Sequence, residues 1–241
     1  MRTWAIGDVH GCGKTLDKLV QRMELIQGDK VIFLGDLIDR GHAHRQVQET
    51  IESLLKNGIQ LVILRGNHEE GFLHACAEAH LKDKKTWLRK KVIVRQATHH
   101  WMQWGGDTFL REYGAVFPEQ LPDWWKNMAE TSQFYHMHDQ AYLVHAGFNF
   151  QEPDFLSDTH AMLWIREFTP NLDATEGRII IHGHVPVHED LIRQTADAPP
   201  EQFGFIDIDN GAVYPGKTGM GQLVALEIAS RKLIFQPCID L

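Results

Sequence analysis

Three times in the first eighty residues an apolar, partly β-branched run stops at a glycine with a polar residue beside it: TWAIGD (3–8), VIFLGD (31–36) and LVILRGN (61–67). Each run is followed by apolar residues at helical spacing. These are Leu16, Leu19, Val20 and Met23, then Val47, Ile51, Leu54 and Leu55, then Phe72, Ala75, Cys76 and Ala79. A continuous apolar run suits a strand buried on both faces, and its alternation with amphipathic helices predicts βαβ units in a parallel sheet. Ligands in such sheets gather beyond the carboxyl ends of the strands, so the polar residue after each glycine is expected at an active-site edge.

The pattern changes after residue 83. Five of the seven tryptophans (Trp87, Trp101, Trp104, Trp124, Trp125) fall within 83–135, which predicts an aromatic-rich, mainly helical insertion with a loop near QWGGDT (103–108). These aromatics are expected to pack, with a substrate-facing lid as the second reading. FYHMHDQAYLVHAG (134–147) predicts a hairpin turning at His138-Asp139-Gln140, and RIIIHGH (178–184) a buried strand ending in histidine. GFIDIDNGAVY (204–214) and GQLVALEIASRKLIFQP (221–237) alternate as antiparallel strands do. Parallel units first and antiparallel strands later predict two sheets packed as a sandwich. No linker or low-complexity stretch divides the chain, so one domain over 1–241 is expected.

Composition narrows the function classes. With 241 residues, 43% of them hydrophobic, the chain can bury a sizeable core. No 18 apolar residues run together, so neither a membrane span nor a membrane partner is expected. Cys12, Cys76 and Cys238 are odd in number and widely spaced, and no basic-plus-apolar leader opens the sequence; both suit a cytoplasmic protein. A net charge of −8 argues against nucleic acid as a stable partner, and the one basic cluster, KDKKTWLRKK (82–91), is expected to be a solvated helix face. Fifteen histidines beside Asp and Asn raise the odds of a metal site.

GDVHGCGKT (7–15) poses a choice. Its ending is that of a nucleotide-binding P-loop, yet that motif needs a glycine five residues before Gly13, where Asp8 stands. Asp8 would repel a phosphate, so Lys14 and Thr15 are expected in the solvated first turn of a helix. Asp8 and His10 are instead metal-ligand types. More such residues recur at strand ends: Asp36 in GDLIDRG (35–41), with Asp39 and Arg40 beyond it, Asn67 and His68 in GNHE (66–69), His145 in VHAG (144–147) and His184 in HGH (182–184). A glycine near each lets backbone and metal approach closely.

The order GDVHG, GDLIDRG, GNHE, HAG, GH, spanning 7–184, resembles the phosphoprotein phosphatase branch of the dinuclear metallophosphoesterases, most of all its short bacterial and lambda-phage-type Ser/Thr phosphatases. IDIDNGAVY also resembles that group. The resemblance implies an α/β fold of the calcineurin-like metallophosphoesterase type, a β-sandwich of mixed sheets flanked by helices in four α-β-β-α layers. It implies that Asp8 and His10 bind a first metal, that Asp36 bridges both, and that Asn67, His145 and His184 complete a second. Two divalent ions are expected, with Mn²⁺ favoured and Fe or Zn²⁺ compatible with the N/O donor set. His68 would protonate the leaving alkoxide, Asp39 would orient it, and Arg40 would clamp phosphoryl oxygens. MLWIRE (162–167) offers Arg166 as a second phosphate-binding arginine.

The implied reaction is direct in-line attack of a metal-bridged hydroxide on phosphomonoesters, of the phosphoserine and phosphothreonine protein type or small phosphoesters, without a phosphoenzyme. The alternative is a symmetrical dinucleoside-tetraphosphate or other nucleotide pyrophosphohydrolase. That subgroup resembles this chain in most ligands, but its GDLVARG lacks an aspartate where Asp39 stands, and its GNHD has Asp where Glu69 stands. GHAHRQ (41–46) and the tryptophan-rich insertion depart from the eukaryotic enzymes, whose regulatory partners are not carried over. A catalytically dead binding module would have lost the proton donor or the bridging ligand, and both are here. His42, His44, His99, His100 and His188 are expected at the surface, and His136 and His138 of HMHD (136–139) in a turn. His182 is expected to pack or to support the site, Cys12 to pack, and Asp207 and Asp209 to punctuate a strand and turn.

Overall fold

The computed structural model describes residues 1–78 and 95–241. The three apolar runs are β1 (Thr3–Ile6), β2 (Lys30–Phe33) and β3 (Gln60–Ile63), and the segments after them are α1 (Gly13–Met23), α2 (His44–Lys56) and α3 (Asn67–Glu78). Then come α4 (Gln96–Trp101), α5 (Asp107–Tyr113), α6 (Asp123–Thr131), β4 (Tyr135–Met137), β5 (Ala141–Val144), α7 (Thr159–Trp164) and β6 (Ile179–His182). The chain continues with α8 (Glu189–Asp197), α9 (Pro200–Phe203), β7 (Phe205–Asp207), β8 (Gln222–Glu227) and β9 (Leu233–Pro237).

Two mixed sheets result, one of order β3-β2-β1-β8-β9 and one of order β4-β5-β6-β7. In the first, β1, β2 and β3 are parallel while β8 and β9 run antiparallel to their neighbours. Alternate side chains take opposite sides, as a pleat requires. Ala5, Ile32 and Val224 join Leu143, Ile181 and Ile206 in the core between the sheets. Trp4, Ile6, Val31 and Phe33 face outward against Leu16, Leu19, Val47 and Ile51 of α1 and α2. On the far side, Tyr142, Val144 and Ile180 pack with Met162 of α7 and loop aromatics such as Phe148 and Phe155. This is the expected fold of two mixed sheets flanked by helices. Both faces of β1, β2 and β6 are covered, which is why these runs carry no polar alternation.

The second sheet departs from expectation. β4 and β5 form the predicted hairpin, closed by His138 and Ala141. β7, however, lies parallel to β6, with Ile181 opposite Ile206. The chain crosses over through α8 and α9 before β7, and a three-residue strand carries too short an alternation to reveal its direction.

The insertion is helical where described, and its expected loop is a single π-turn over Met102–Gly106 broken at Gly105, whose φ is 109°. Trp101, Phe109 and Trp125 join the same buried cluster as Leu19 and Val47. Ala79, Trp87 and the basic cluster lie outside the described residues.

Two surface expectations are corrected. His44 has no exposure; its ring stacks on Phe109 at 4.3 Å and its Nδ1–H donates to Glu112 Oε2 at 2.6 Å. Glu112 also accepts the His44 and Arg45 amides, so it caps α2 from the insertion. Thr15 is equally buried: the Asp240 carboxylate accepts the Lys14 and Thr15 amides and the Thr15 hydroxyl. The helix start that resembles a phosphate cradle is occupied by the chain's own carboxylate. Leu55, expected on an apolar face, is 55% exposed. Cys12 packs as expected, its sulfur 4.0 Å from that of Cys238.

Candidate functional site

Asp8 lies two residues beyond β1, Asp36 three beyond β2, Asn67 at the start of α3, His145 directly after β5, and His184 two beyond β6. The two sheets thus deliver these side chains to one place. His10, Asp36, Asp39, Arg40 and His184 all have φ between 45° and 75°. They are five of the eight described non-glycine residues with positive φ, a conformation costing about 1–2 kcal/mol each. Strain concentrated here marks loops held for a purpose other than stability. Two glycines make the approach possible: a Cβ on Gly66 would collide with Asp36 Oδ1, and one on Gly183 with Asp8 Oδ1.

Asp36 sits at the centre. Its Oδ2 is 3.5 Å from His10 Nε2 and 3.8 Å from His68 Nε2, while its Oδ1 is 3.5 Å from His145 Nε2. His10, Asp36 and His68 therefore form one group able to hold a metal ion, and Asp36, His145 and His184 a second. Asp8 belongs to neither tight group; its carboxylate accepts the His184 amide at 3.3 Å.

The imidazole orientations are fixed by carbonyls. His10 Nδ1–H donates to Ile38 O at 3.1 Å, and His145 Nδ1–H to Leu34 O at 3.0 Å. Each ring thereby turns an Nε2 lone pair inward, the tautomer a metal ligand needs. His145 Nε2 then lies 3.0 Å from Asn67 Oδ1 and 3.2 Å from His184 Nδ1, which is itself 3.0 Å from Asn67 Oδ1. His145 Nε2 and Asn67 Oδ1 are both acceptors and repel, and a cation between them reconciles the contact. Burial, with Arg40 beside them, lowers His145 and His184 to about 3 and His10 well below the usual imidazole range, so all three rings are neutral. Burial likewise pushes Asp36 up to about 7, and burial with repulsion from Asp209 and Asp36 holds Asp8 well above the usual carboxylate range. A divalent cation would relieve both penalties. These oxygen and imidazole donors, with no thiolate, fit two hard or borderline dications.

Beside this centre, His68 Nδ1–H donates to Asp39 Oδ2 at 2.7 Å, and Arg40 donates to His68 Nε2 at 2.9 Å. His68 and Asp39 are buried and Arg40 is half-buried. Arg166 is exposed and reaches the site through its field, being among the charges that lower His184.

Three residues gained importance only in the fold. Glu69 is fully buried and ties two loops together, its Oε2 accepting the Asp36 and Gly66 amides and its Oε1 the Leu37 amide. Trp101 Nε1–H donates to Asp39 Oδ2 at 3.0 Å. Asp209 makes the expected turn bond to the Gly211 amide, yet is buried close enough to raise Asp8. A glutamate in the first turn of α3 was a visible signal for the first; nothing local marked the other two.

A family profile described as calcineurin-like phosphoesterase matches residues 1–205. A symmetrical bis(5'-nucleosyl)-tetraphosphatase of Actinobacillus succinogenes is 28% identical over 84% of this chain and 59% of its own length. Serine/threonine-protein phosphatase 1 of Salmonella typhimurium is 26% identical over 91% of both chains. The chain spans only about half to three fifths of the length of the first of the curated tetraphosphatases it matches. A protein serine/threonine phosphatase of Saccharomyces cerevisiae aligns with a TM-score of 0.65 over 100% of this chain and 81% of its own, at 13% identity, a likeness of fold alone.

Proposed function

The chain belongs to the calcineurin-like phosphoesterases, and from that premise we propose that it is a metal-dependent phosphatase hydrolysing phosphomonoesters of the serine/threonine-protein-phosphatase type. The observation that carries this is Asp36, whose two oxygens face two separate groups of donors. On this proposal Asp8 and His10 hold one divalent ion, Asn67, His145 and His184 hold the other, and Asp36 belongs to both. When bound, such a pair supplies Lewis acidity and brings the pKa of its water towards neutrality. Mn²⁺ is the ion we propose, with Fe and Zn²⁺ compatible.

The chain's own groups supply the rest. Arg40 presents a planar guanidinium that binds two phosphoryl oxygens at once, and Arg166 offers a second positive charge from the rim. A phosphoryl group between Arg40 and His68 draws the guanidinium to itself and leaves His68 Nε2 to carry a proton to the leaving oxygen. Asp39 accepts from Nδ1, fixing the ring and opposing loss of that proton. Burial of the whole arrangement strengthens each of these interactions.

The presence of Asp39 favours monoesters over dinucleoside polyphosphates. An alkoxide leaving group needs a proton, whereas a nucleotide leaves as a stable anion and does not. The Salmonella phosphatase, matched over 91% of both chains, supports the same choice. We further propose that residues 1–241 form one metallophosphoesterase domain, cytoplasmic in keeping with three free cysteines, with phosphoprotein or small phosphoester partners and no nucleic acid. The test compares metal-loaded turnover of a phosphoserine peptide, p-nitrophenyl phosphate and diadenosine tetraphosphate. Preference for the tetraphosphate would overturn the monoester assignment.

A further inference from the structure

Asp39 is fully buried, and both of its carboxylate hydrogen bonds fall on one oxygen. Oδ2 accepts from His68 Nδ1–H at 2.7 Å and from Trp101 Nε1–H at 3.0 Å, while Oδ1 is buried without a partner among the described residues. The indole is therefore the second of two donors that set where this carboxylate points. Trp101 is itself fully buried, its ring against Phe72 at 5.4 Å and Phe109 at 6.4 Å. A Cβ on Gly106 would collide with it, so the ring has one seat.

The residues that follow touch the same machinery. Gly105 O accepts the Arg40 amide at 3.2 Å, and a Cβ on Gly105 would come within 2.7 Å of that amide nitrogen. The Trp104 ring lies 6.1 Å from His68 and 5.3 Å from Trp164. Residues 101–106 thus meet Asp39, Arg40 and His68 from one side.

Without the indole, Asp39 keeps one donor, and its carboxylate is free to turn about that single bond.

We propose that Trp101 is a positioning residue for proton delivery: through Asp39 it holds His68 at the angle from which Nε2 serves an alkoxide leaving group. The tryptophan-rich segment then selects for alkyl phosphates, such as the phosphoserine and phosphothreonine esters, over esters of acidic leaving groups. This rests on the monoesterase assignment above.

The test is Trp101→Phe, which keeps an aromatic ring and removes the donor, assayed on a phosphoserine peptide and on p-nitrophenyl phosphate. Nitrophenolate leaves without a proton. General acid catalysis contributes about 10²–10⁴-fold, so loss of its positioning is expected to lower kcat on the peptide by about 10–100-fold and on the aryl ester by less than about 3-fold. KM and the number of bound Mn²⁺ ions per chain stay unchanged, because neither passes through the indole. In an Asp39→Asn background the Trp101→Phe effect should vanish, whereas a general structural defect would add to it. Trp101→His, which retains a ring N–H, is expected to recover part of the peptide rate. If Trp101→Phe does not fold, Trp101→Leu, which also lacks a donor, carries the same two-substrate comparison. Equal losses on both substrates, or none on either, would overturn the proposal. Wild-type protein inactive on both esters would instead remove the monoesterase assignment, and this inference with it.

Discussion

Asp36, from the first sheet, and His145, from the second, meet with Oδ1 and Nε2 3.5 Å apart. The contact joins the two halves of the sandwich at one atom pair, while the other oxygen of Asp36 faces His10 Nε2 at 3.5 Å. On the proposed ligation this carboxylate serves both ions, so its replacement acts on both. Asp36→Asn is therefore expected to lower bound Mn²⁺ from two ions to one or fewer and phosphatase activity by at least about 10³-fold, near the upper end for loss of one stabilising group. Metal analysis of the dialysed variant checks this, and two retained ions would remove Asp36 from the bridge.

Arg40 tests a different requirement, that of shape beyond charge. Its guanidinium lies 2.9 Å from His68 Nε2, and its charge bears on His10, His68, His145 and His184. Arg40→Lys keeps the charge and loses the planar fork. We expect kcat/KM on p-nitrophenyl phosphate to fall about 10²-fold, with weaker inhibition by inorganic phosphate. A lysine variant of near wild-type activity would mean that Arg40 acts by charge alone.

The buried carboxylates give the metal-stripped protein a distinctive pH profile. Burial pushes Asp36, Glu69 and Asp209 up to about 7, so the folded chain holds protons that the unfolded chain has already lost. A carboxyl raised in this way loses its stabilising contribution as pH rises through the folded value. The imidazoles act with opposite sign: His10, His68, His145 and His184 lie below their usual range in the fold, so stability falls once pH drops below about 6.5. Without metal, stability should therefore fall as the pH rises from 6.5 to 8, read as a lower Tm at pH 8. Saturating Mn²⁺ should abolish that decrease. A flat profile between pH 6.5 and 8 in the stripped protein would contradict it.

Glu69 makes three hydrogen bonds that fasten the Asp36 loop to the start of α3. Glu69→Ala leaves three buried amides without acceptors, each costing about 1–3 kcal/mol if none relaxes. We expect at least about 3 kcal/mol of lost stability by urea denaturation, together with weakened Mn²⁺ binding. Glu69→Gln, which keeps an oxygen, should retain more of both.

Asp240 stands at the start of α1, where its carboxylate takes two amides and a hydroxyl. Asp240→Ala is expected to cost about 1–2 kcal/mol, as loss of a helix cap does, and to leave kcat on p-nitrophenyl phosphate unchanged. A change in kcat without a change in stability would connect this cap to the site.

The parts legible in the sequence are those written within one loop. Asp8, His10, Asp36, Asn67, His145 and His184 each stand within a few residues of a strand end with a glycine near, so strand pattern and spacing are enough to place them together at one edge of the sheets. His44, Thr15 and Trp101 were misread or passed over for the opposite reason. Their partners Glu112, Asp240 and Asp39 lie 62 to 225 residues away, and no local signal records a bond across that distance. The direction of β7 was hidden likewise, because the crossover through α8 and α9 decides it and its three residues do not.

The most direct test of the dinuclear assignment is to strip the protein of metal, return Mn²⁺ in steps, and follow bound ions per chain beside p-nitrophenyl phosphate hydrolysis, with His68→Asn in parallel. The expected result is no turnover without metal, full activity at two ions per chain, and a His68→Asn variant that binds two ions yet turns over slowly. Full activity at one ion per chain, or in the stripped protein, would contradict a dinuclear centre built on Asp36.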